Sequence, residues 1–359
     1  MINFLTFSHY WALFLLLTVE EKMKNKFKIS RQRLSTIALC ALAFTSNPAL
    51  AQDFVARIGH LESPQQSRHV HLERVAGLVS ERTGGAVEFQ LFPQAQLGNQ
   101  RVMTEGVQLG TLEATVSPAA FLGGFNSAIS ILDIPYLMPA DSAKAQALRE
   151  GPFGDALLES FSSKGVVGVA WWPNGMKNFT SNKPLNNIAA FADQKFRVMD
   201  SKILIEQFNA LGASAIALPF GELYTSLQTG VVDGQENPLD TILRMKFFEV
   251  QDYLVISEHG AMEDLVLFNP TWWNSLPDEY QGIIKDAFNE VVPDLIVHKG
   301  EAVKGALDAI AKSDINIRTA SADERSAFRD AMYDGSAAAY IDRAGDAGQK
   351  LIDIYTANH

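Results

Sequence analysis

The chain has 359 residues, of which 47% are apolar and 20% charged, and its net charge at neutral pH is −11. This is the composition of an ordinary globular protein, and the length is sufficient for two domains that each bury a core. The acidic surplus argues against a nucleic-acid-binding protein, because such proteins neutralise phosphates with clustered lysine and arginine.

The first 51 residues differ in character from the rest of the chain. A basic patch over residues 24–33 is followed by a short apolar run over 34–44 and by Ala49-Leu50-Ala51. This order predicts a secretory signal peptide over residues 1–51, cleaved after Ala51, and hence a periplasmic protein. The apolar run is too short to span a membrane.

A second apolar stretch, residues 2–19, precedes this signal. Two such segments in succession favour Met23 as the true start of translation, with a membrane anchor or a longer signal as the alternative. Residues 1–51 hold six basic and two acidic side chains as well as the single cysteine, Cys40. The mature chain would therefore carry a charge of −15 and form no disulfide.

After residue 52, strand and helix patterns alternate along the chain. The predicted strands cover residues 54–59, 86–92, 113–116, 196–198 and 215–218, with another starting at 231–232. The predicted helices lie around 72–79 and at 101–109, 202–211 and 221–229. Because such alternation is typical of α/β domains and recurs after residue 175, it predicts an α/β protein with two lobes and a cleft.

Several motifs occur in a distinctive order. They are FPQAQLGN at 92–99, NG at 174–175, RVM at 197–199, ALGA at 210–213, LPFGELY at 218–224, VDGQENP at 232–238 and WWNSLP at 272–277. This series resembles the substrate-binding subunits of tripartite ATP-independent periplasmic (TRAP) transporters, in the C4-dicarboxylate-binding DctP family. The resemblance covers nearly the whole chain after residue 51.

The resemblance implies a two-lobed periplasmic-binding-protein fold with an interlobe cleft and a long helix that spans the hinge. Lobe I would comprise residues 52–174 and 263–302, and lobe II would comprise 175–262 and 303–359. The helical pattern that starts near residue 277 and extends to about 312 supplies the hinge helix. Pro293 lies inside it and predicts a kink or a break, because proline removes a backbone hydrogen bond.

The function implied by the resemblance is capture of a small organic acid and its delivery to the TRAP membrane subunits, a small DctQ-type and a large DctM-type protein. Uptake would be driven by an ion gradient, without a cofactor or metal. An ectoine-like zwitterion as ligand and a role as ligand sensor for a membrane receptor remain alternatives. An enzyme is disfavoured, since the sequence contains no Gly-x-Ser-x-Gly elbow and no phosphate-binding loop.

Arg197 and Asn237 are the first two candidate binding residues. The planar guanidinium of Arg197 matches a carboxylate bidentately, and the family uses an arginine in this motif to grip the substrate. Asn237 can both donate and accept hydrogen bonds. Gly234 and Pro238 around it predict a tight turn.

Four further candidates complete the predicted site. Lys177 would add a second positive charge, although the family often has arginine there. Phe220 would form an aromatic wall. Of the neighbours Trp171 and Trp172, one should face the cleft and the other pack inside, since adjacent residues on a strand point to opposite sides, and Trp172 is taken as the candidate. Glu62 would meet a cationic ligand group if it faces the cleft.

Overall fold

The computed structural model describes residues 53–358, which form nine strands and eleven α-helices. The strands are β1 Phe54–Gly59, β2 Val87–Phe92, β3 Ala114–Pro118, β4 Val167–Ser181, β5 Lys195–Val198, β6 Ser214–Ala217, β7 Gly234–Pro238, β8 Tyr253–Phe268 and β9 Asn316–Thr319. The helices are α1 Ser67–Arg82, α2 Gln100–Leu109, α3 Ser142–Glu150, α4 Pro152–Glu159, α5 Lys202–Ala210, α6 Leu223–Gln228, α7 Leu239–Arg244, α8 Pro270–Ser275, α9 Asp278–Glu290, α10 Val292–Ile310 and α11 Ala322–Asn358.

The predicted alternation of strands and helices is confirmed in both halves of the chain. Predicted strands and helices such as 54–59, 101–109 and 202–211 agree with β1, α2 and α5 to within about a residue. Their ends follow local rules. Asn99 caps α2 by accepting a hydrogen bond from the Val102 backbone amide, and Gly110 ends it in the left-handed conformation.

One mixed sheet runs through the whole described chain, in the order β2-β1-β3-β8-β4-β7-β5-β6, with β9 paired to β8. In the first half, β1 lies parallel to β2 and β3; in the second, β5 lies parallel to β6 and β7. Each parallel trio joins one of the long antiparallel strands β8 and β4. This repetition gives the fold its two lobes, in agreement with the predicted fold class.

The strands β4 and β8 continue from one lobe into the other. Their pairing shifts register between Gly168 and Ala170, between Pro173 and Gly175, and between Lys177 and Phe179. Gly175 adopts φ +125°, which L-residues rarely reach, and a Cβ there would lie 3.3 Å from Pro238. A β-bulge bends a strand and increases its twist. The shift between Pro173 and Gly175 lies at the predicted lobe boundary of 174/175, which remains a prediction.

The predicted hinge helix is broken at Val291, between α9 and α10, and Pro293 lies in the first turn of α10. This confirms the break expected from the proline, which is tolerated in a first turn because its missing N–H has no partner there. The N-terminal part of α10 packs in lobe I through Leu295, and its C-terminal part packs in lobe II through Ala306 and Ile310.

The last helix, α11, departs from the predicted assignment of residues 303–359 to lobe II. Its first turns follow that assignment, since the ring centroids of Phe328 and Phe179 lie 5.7 Å apart. The helix is kinked at Gly345. On both sides of the kink it contacts the first part of the chain instead: Tyr340, before the kink, donates to the Ala128 carbonyl, and Tyr355, after it, donates to the Leu137 carbonyl. The assignment is therefore wrong for the end of the chain. Its aromatic residues find their partners in lobe I.

The segment 232–238 is a second departure. A tight turn around Gly234 and a strand starting at residue 231 were predicted, but Gly234–Pro238 is itself the strand β7 and all five residues are buried. Gly234 is needed because β7 is crowded: a Cβ would overlap the Thr180 carbonyl oxygen and lie 2.5 Å from Phe196. The glycine reflects a close backbone approach rather than a turn.

Among residues 53–358, no helix is long and apolar enough to cross a membrane. The predicted signal peptide and Met23 start lie outside the described residues.

Gly234→Ala is expected to destabilise the protein by about 2–3 kcal/mol, since the carbonyl of a paired strand cannot move away from the new methyl group. Gly282→Ala, on α9 with open space around it, is the matched control and should be neutral or stabilising by up to about 1 kcal/mol. Urea unfolding of both variants measures the difference. Equal stability of the two would contradict the crowding at β7.

A buried carboxyl group joins the two halves at Asp133, which accepts a hydrogen bond of 2.6 Å from the Ser201 hydroxyl. Burial raises the pKa of Asp133 from 3.8 to about 6, although Lys177 partly opposes this. The folded state therefore retains a proton that the unfolded chain releases between about pH 4 and pH 6. The free energy of unfolding should fall as the pH rises through this window.

Asp133→Asn removes the ionisation while leaving an oxygen for Ser201. We expect the variant to be more stable than the wild type at pH 7, by about 2–3 kcal/mol for a shift of about two pKa units, and equally stable at pH 4. Denaturant unfolding at both values measures this, with the exposed Asp346→Asn as control. A variant less stable than the wild type at pH 7 would show that Asp133 is needed as an anion.

Candidate functional site

Two adjoining cavities, of about 240 Å³ and about 20 Å³, are lined by residues from both lobes. They share the side chains of Leu61, Phe121 and Phe220. The polar or charged residues that line the smaller one are Glu62, Gln66, Arg68, Asn174, Asn237 and Thr241. We call this pair of cavities the cleft.

The cleft lies where the parallel strands end. Glu62 follows the end of β1, Phe121 follows β3 and Phe220 follows β6, while Asn237 is near the end of β7. Ligands of open α/β sheets bind at the carboxyl ends of the strands, where loops of different strands converge. The position of the cleft is therefore the one that the topology favours.

Arg197 is held behind the cleft wall by one edge of its guanidinium. It lies on β5 and is 1% exposed. Its Nε and Nη2 both donate to the carbonyl of Leu218, at 3.0 and 2.8 Å, and its Cζ lies 5.7 Å from the Phe121 ring. Leu218 and Phe121 both line the cleft. A guanidinium has five N–H groups, and the two on Nη1 and one on Nη2 remain free of these bonds. One N–H from each of these nitrogens forms the end-on fork that binds a carboxylate.

Arg197 also differs from the other buried bases of residues 53–358. Arg68 lies 2.6 Å from Asp264, Lys177 lies 2.8 Å from Glu236, and Lys299 lies 3.6 Å from Glu62. No ion pair within 4 Å is formed by Arg197 in this part of the chain. Burial lowers the pKa of Arg197 to about 10, an effect that the charge of Glu236 opposes. Arg197 does not itself line either cavity, but it lies behind Leu218 and Phe121, which do, as an enclosed cation without an ion-pair partner among residues 53–358.

Lys177 does not supply the predicted second charge. Its Nζ donates to Glu236 Oε1, and the other oxygen of Glu236 accepts from His259 and Gln207, at 2.7 and 2.9 Å. Burial opposes ionisation of Glu236, but Lys177 and His259 outweigh it and lower its pKa. Lys177 does not line the cleft. The ammonium charge is neutralised by Glu236 inside lobe II, which disfavours a second charge at the cleft, and contact of Lys177 with a ligand remains a prediction.

Asn237 and Phe220 lie where a binding role requires them. Asn237 lines the smaller cavity and donates to Gln235, while its Oδ1 makes no hydrogen bond to residues 53–358. Phe220 lines both cavities and packs edge-to-face against Phe247, with ring centroids 6.1 Å apart. Their contact with a ligand remains a prediction.

Trp171 and Trp172 point to opposite sides of β4, as the strand geometry requires, but neither lines the cleft. Trp172 is fully buried in lobe I, donates to the Phe288 carbonyl at 2.9 Å and packs on that ring. Trp171 donates to Glu263 and packs against Phe153. The prediction for Trp172 is therefore wrong, because the helix α9 covers the face of the sheet on which it lies.

Glu62 lines the smaller cavity and belongs to a compensated network. Its Oε1 lies 3.4 Å from Arg68, 3.6 Å from Lys299 and 3.2 Å from the Asn174 amide nitrogen. Burial would raise the pKa of Glu62, but the two cations and the neighbouring His60 outweigh this and lower it to about 2. Glu62 is thus ionised and already faces two positive charges.

The cleft residues that were not predicted as binding residues include Gln66, Arg68, Phe121 and Asn174. Asn174 was part of a recognised motif without a role. The other three follow the parallel strands β1 and β3, so a search of the segments after each predicted strand would have found them.

Comparison with known proteins agrees with this architecture. Residues 58–341 match the DctP family, bacterial extracellular solute-binding protein family 7. The 2,3-diketo-L-gulonate-binding periplasmic protein YiaO of Escherichia coli K12 is 33% identical over 249 residues, 69% of this chain and 75% of that protein.

Two solved structures share the fold. A TRAP periplasmic solute-binding protein from Desulfovibrio salexigens, with bound orotic acid, is 64% identical with a TM-score of 0.84 and covers 85% of this chain and 98% of its own. The ectoine-binding protein of the TeaABC TRAP transporter of Halomonas elongata is 25% identical with a TM-score of 0.80, and the match covers 85% of this chain and 98% of that protein. The chain belongs to the DctP family of bacterial extracellular solute-binding proteins.

Proposed function

We propose that this protein captures a small cyclic carboxylate of the orotate type in the cleft and delivers it to TRAP membrane subunits. The observation that carries the proposal is Arg197, a buried guanidinium without a counter-ion beside the cleft. Enclosing an unpaired charge is costly, and a bound carboxylate offsets that cost through charge-assisted hydrogen bonds. Asn237 and Phe220 supply a polar contact and an aromatic wall.

The ligand class rests on similarity together with the charges of the cleft. Orotic acid is bound by the Desulfovibrio relative at 64% identity. Orotate and diketogulonate, which YiaO is named for, share one carboxylate and several neutral polar groups. A single unpaired cation suits one carboxylate, since Lys177 is neutralised by Glu236. Dicarboxylates would leave their second charge without a partner.

The charges around Glu62 disfavour the zwitterion alternative. The ectoine-binding relative is only 25% identical. A cationic ligand group near Glu62 would meet Arg68 and Lys299 as well as the carboxylate, and like charges in an enclosed site repel strongly. Glu62 therefore suits a neutral donor better than a cation.

The two lobes would close on the ligand by bending at the β4–β8 interruption near Gly175, with α10 as the connecting helix. We propose residues 52–174 and 263–302 as lobe I, with the end of α11 packed on it. Export through a cleaved signal peptide over residues 1–51, and docking to DctQ-type and DctM-type subunits, complete the proposal. The protein would act as a carrier without catalysis.

Arg197→Ala should weaken orotate binding by about 2–5 kcal/mol, because the carboxylate loses its charge partner. The orotate affinity of Arg197→Lys should lie between those of the wild type and Arg197→Ala, since lysine keeps the charge and loses the fork. Isothermal titration calorimetry measures both, and circular dichroism checks folding. Arg82→Ala, a surface ion-pair residue of α1, is the control. Unchanged affinity in Arg197→Ala would remove Arg197 from the site.

A thermal-shift screen of the mature protein should find stabilisation by orotate, at about 2.7 kcal/mol when the ligand is at one hundred times its Kd. Succinate should shift the melting temperature less, and ectoine not at all, because of the charges described above. The protein is first unfolded and refolded to remove any ligand retained from expression. A larger shift with ectoine than with any carboxylate would favour the zwitterion alternative. A sensor would give the same shifts, so reconstituted uptake with the membrane subunits separates transport from sensing.

A further inference from the structure

We propose that Glu62, Gln66 and Arg68 form a recognition edge that reads a cyclic imide, the C(=O)–NH–C(=O) group of a uracil-type ring. This inference rests on the proposed function, in which Arg197 holds the ring carboxylate. The three residues lie in one short segment between β1 and the first turn of α1. We call them the imide edge.

Each of the three lines the smaller cavity and has one polar atom without a hydrogen-bond partner. The atoms are Oε2 of Glu62, Nε2 of Gln66 and Nη1 of Arg68. The side chains are 6%, 2% and 1% exposed, so they are shielded from bulk solvent. A buried polar group without a partner is destabilising. Because the three residues line one cavity, a ligand bound there is placed to supply the partners.

The identity of each atom as donor or acceptor is fixed by its neighbours. Gln66 accepts a hydrogen bond of 3.0 Å from the Ser63 backbone N–H through Oε1, which leaves Nε2 as a donor. Arg68 directs its Nε and Nη2 to Asp264, at 2.8 and 2.6 Å, which leaves Nη1 as a donor. Glu62 is ionised, so its Oε2 accepts. The edge therefore offers two donors and one acceptor.

An imide presents the complementary set, which is two carbonyl acceptors flanking one N–H donor. In orotate this group lies across the ring from the carboxylate, so one molecule can address Arg197 and the imide edge together. The network is electrically balanced, with Glu62 and Asp264 against Arg68 and Lys299. It therefore suits a neutral group. Reading by hydrogen bonds gives strong discrimination, because a ligand that lacks the matching group leaves buried atoms unpaired.

The test compares orotate with 3-methylorotate, which keeps the carboxylate and both carbonyls and replaces the imide N–H with a methyl group. Calorimetry on the wild-type mature protein should give an affinity for 3-methylorotate about 100-fold lower. This comparison needs no variant and is therefore independent of folding effects. Equal affinities for the two ligands would overturn the imide edge while leaving capture of the carboxylate intact.

Variants locate the effect. Glu62→Gln should lower the affinity for orotate and reduce the difference in affinity between orotate and 3-methylorotate to a few-fold. Gln66→Met should lower the affinity for orotate about 10-fold. It should not change the affinity for benzoate, a carboxylate without an imide. Glu73→Gln, exposed on α1, is the matched control. A loss of the same factor for orotate and benzoate in Gln66→Met would overturn the proposal.

The failure of this inference can be separated from failure of the proposed function. Binding of benzoate without binding of orotate overturns the imide edge and retains capture of a cyclic carboxylate. Absence of binding for every carboxylate, with a folded protein, overturns both.

Discussion

Compensation of buried charge is the constraint on which the cleft depends. In lobe I the anions Glu62 and Asp264 face Arg68 and Lys299. In lobe II Glu236 faces Lys177. Asp133 meets the same constraint only below about pH 6, where burial keeps it protonated. When these groups are paired off, Arg197 is the buried base of residues 53–358 that remains. In the proposed function the ligand would supply its counter-ion, which would couple binding to the state of the cleft.

The same strands that join the lobes also carry the charge networks. Asn174, next to the interruption in β4, donates to Asp264 on β8 and accepts from Lys299 on α10. Three residues further along β4, Lys177 starts the network of lobe II. Gly175 lies between the two and adopts a backbone conformation that other residues avoid. A bend at this point would move the two networks as rigid units, so that each remains neutral while the distance across the cleft changes.

The sequence predicted the parts of this structure that depend on local rules, and it missed those that depend on distant partners. The break at Pro293 and the helix over 202–211 are local, and both are present. The role of Lys177 was missed because Glu236 is 59 positions away and meets it only across paired strands. Arg197 is neither a purely local prediction nor a missed one. The family motif predicted it as a binding residue, but only the folded structure reveals that it lacks a counter-ion.

In the proposed binding mode, affinity and selectivity would be carried by different interactions at the two ends of the cleft. The charge of Arg197 attracts any carboxylate, and it does so against an overall acidic protein, so it cannot distinguish one organic acid from another. The balanced network at Glu62 and Arg68 adds little net attraction, because its charges cancel. Its unpaired atoms instead penalise every ligand that fails to match them. In a family in which many members bind carboxylates, a change of ligand then requires changes around Glu62 and Arg68 rather than at Arg197.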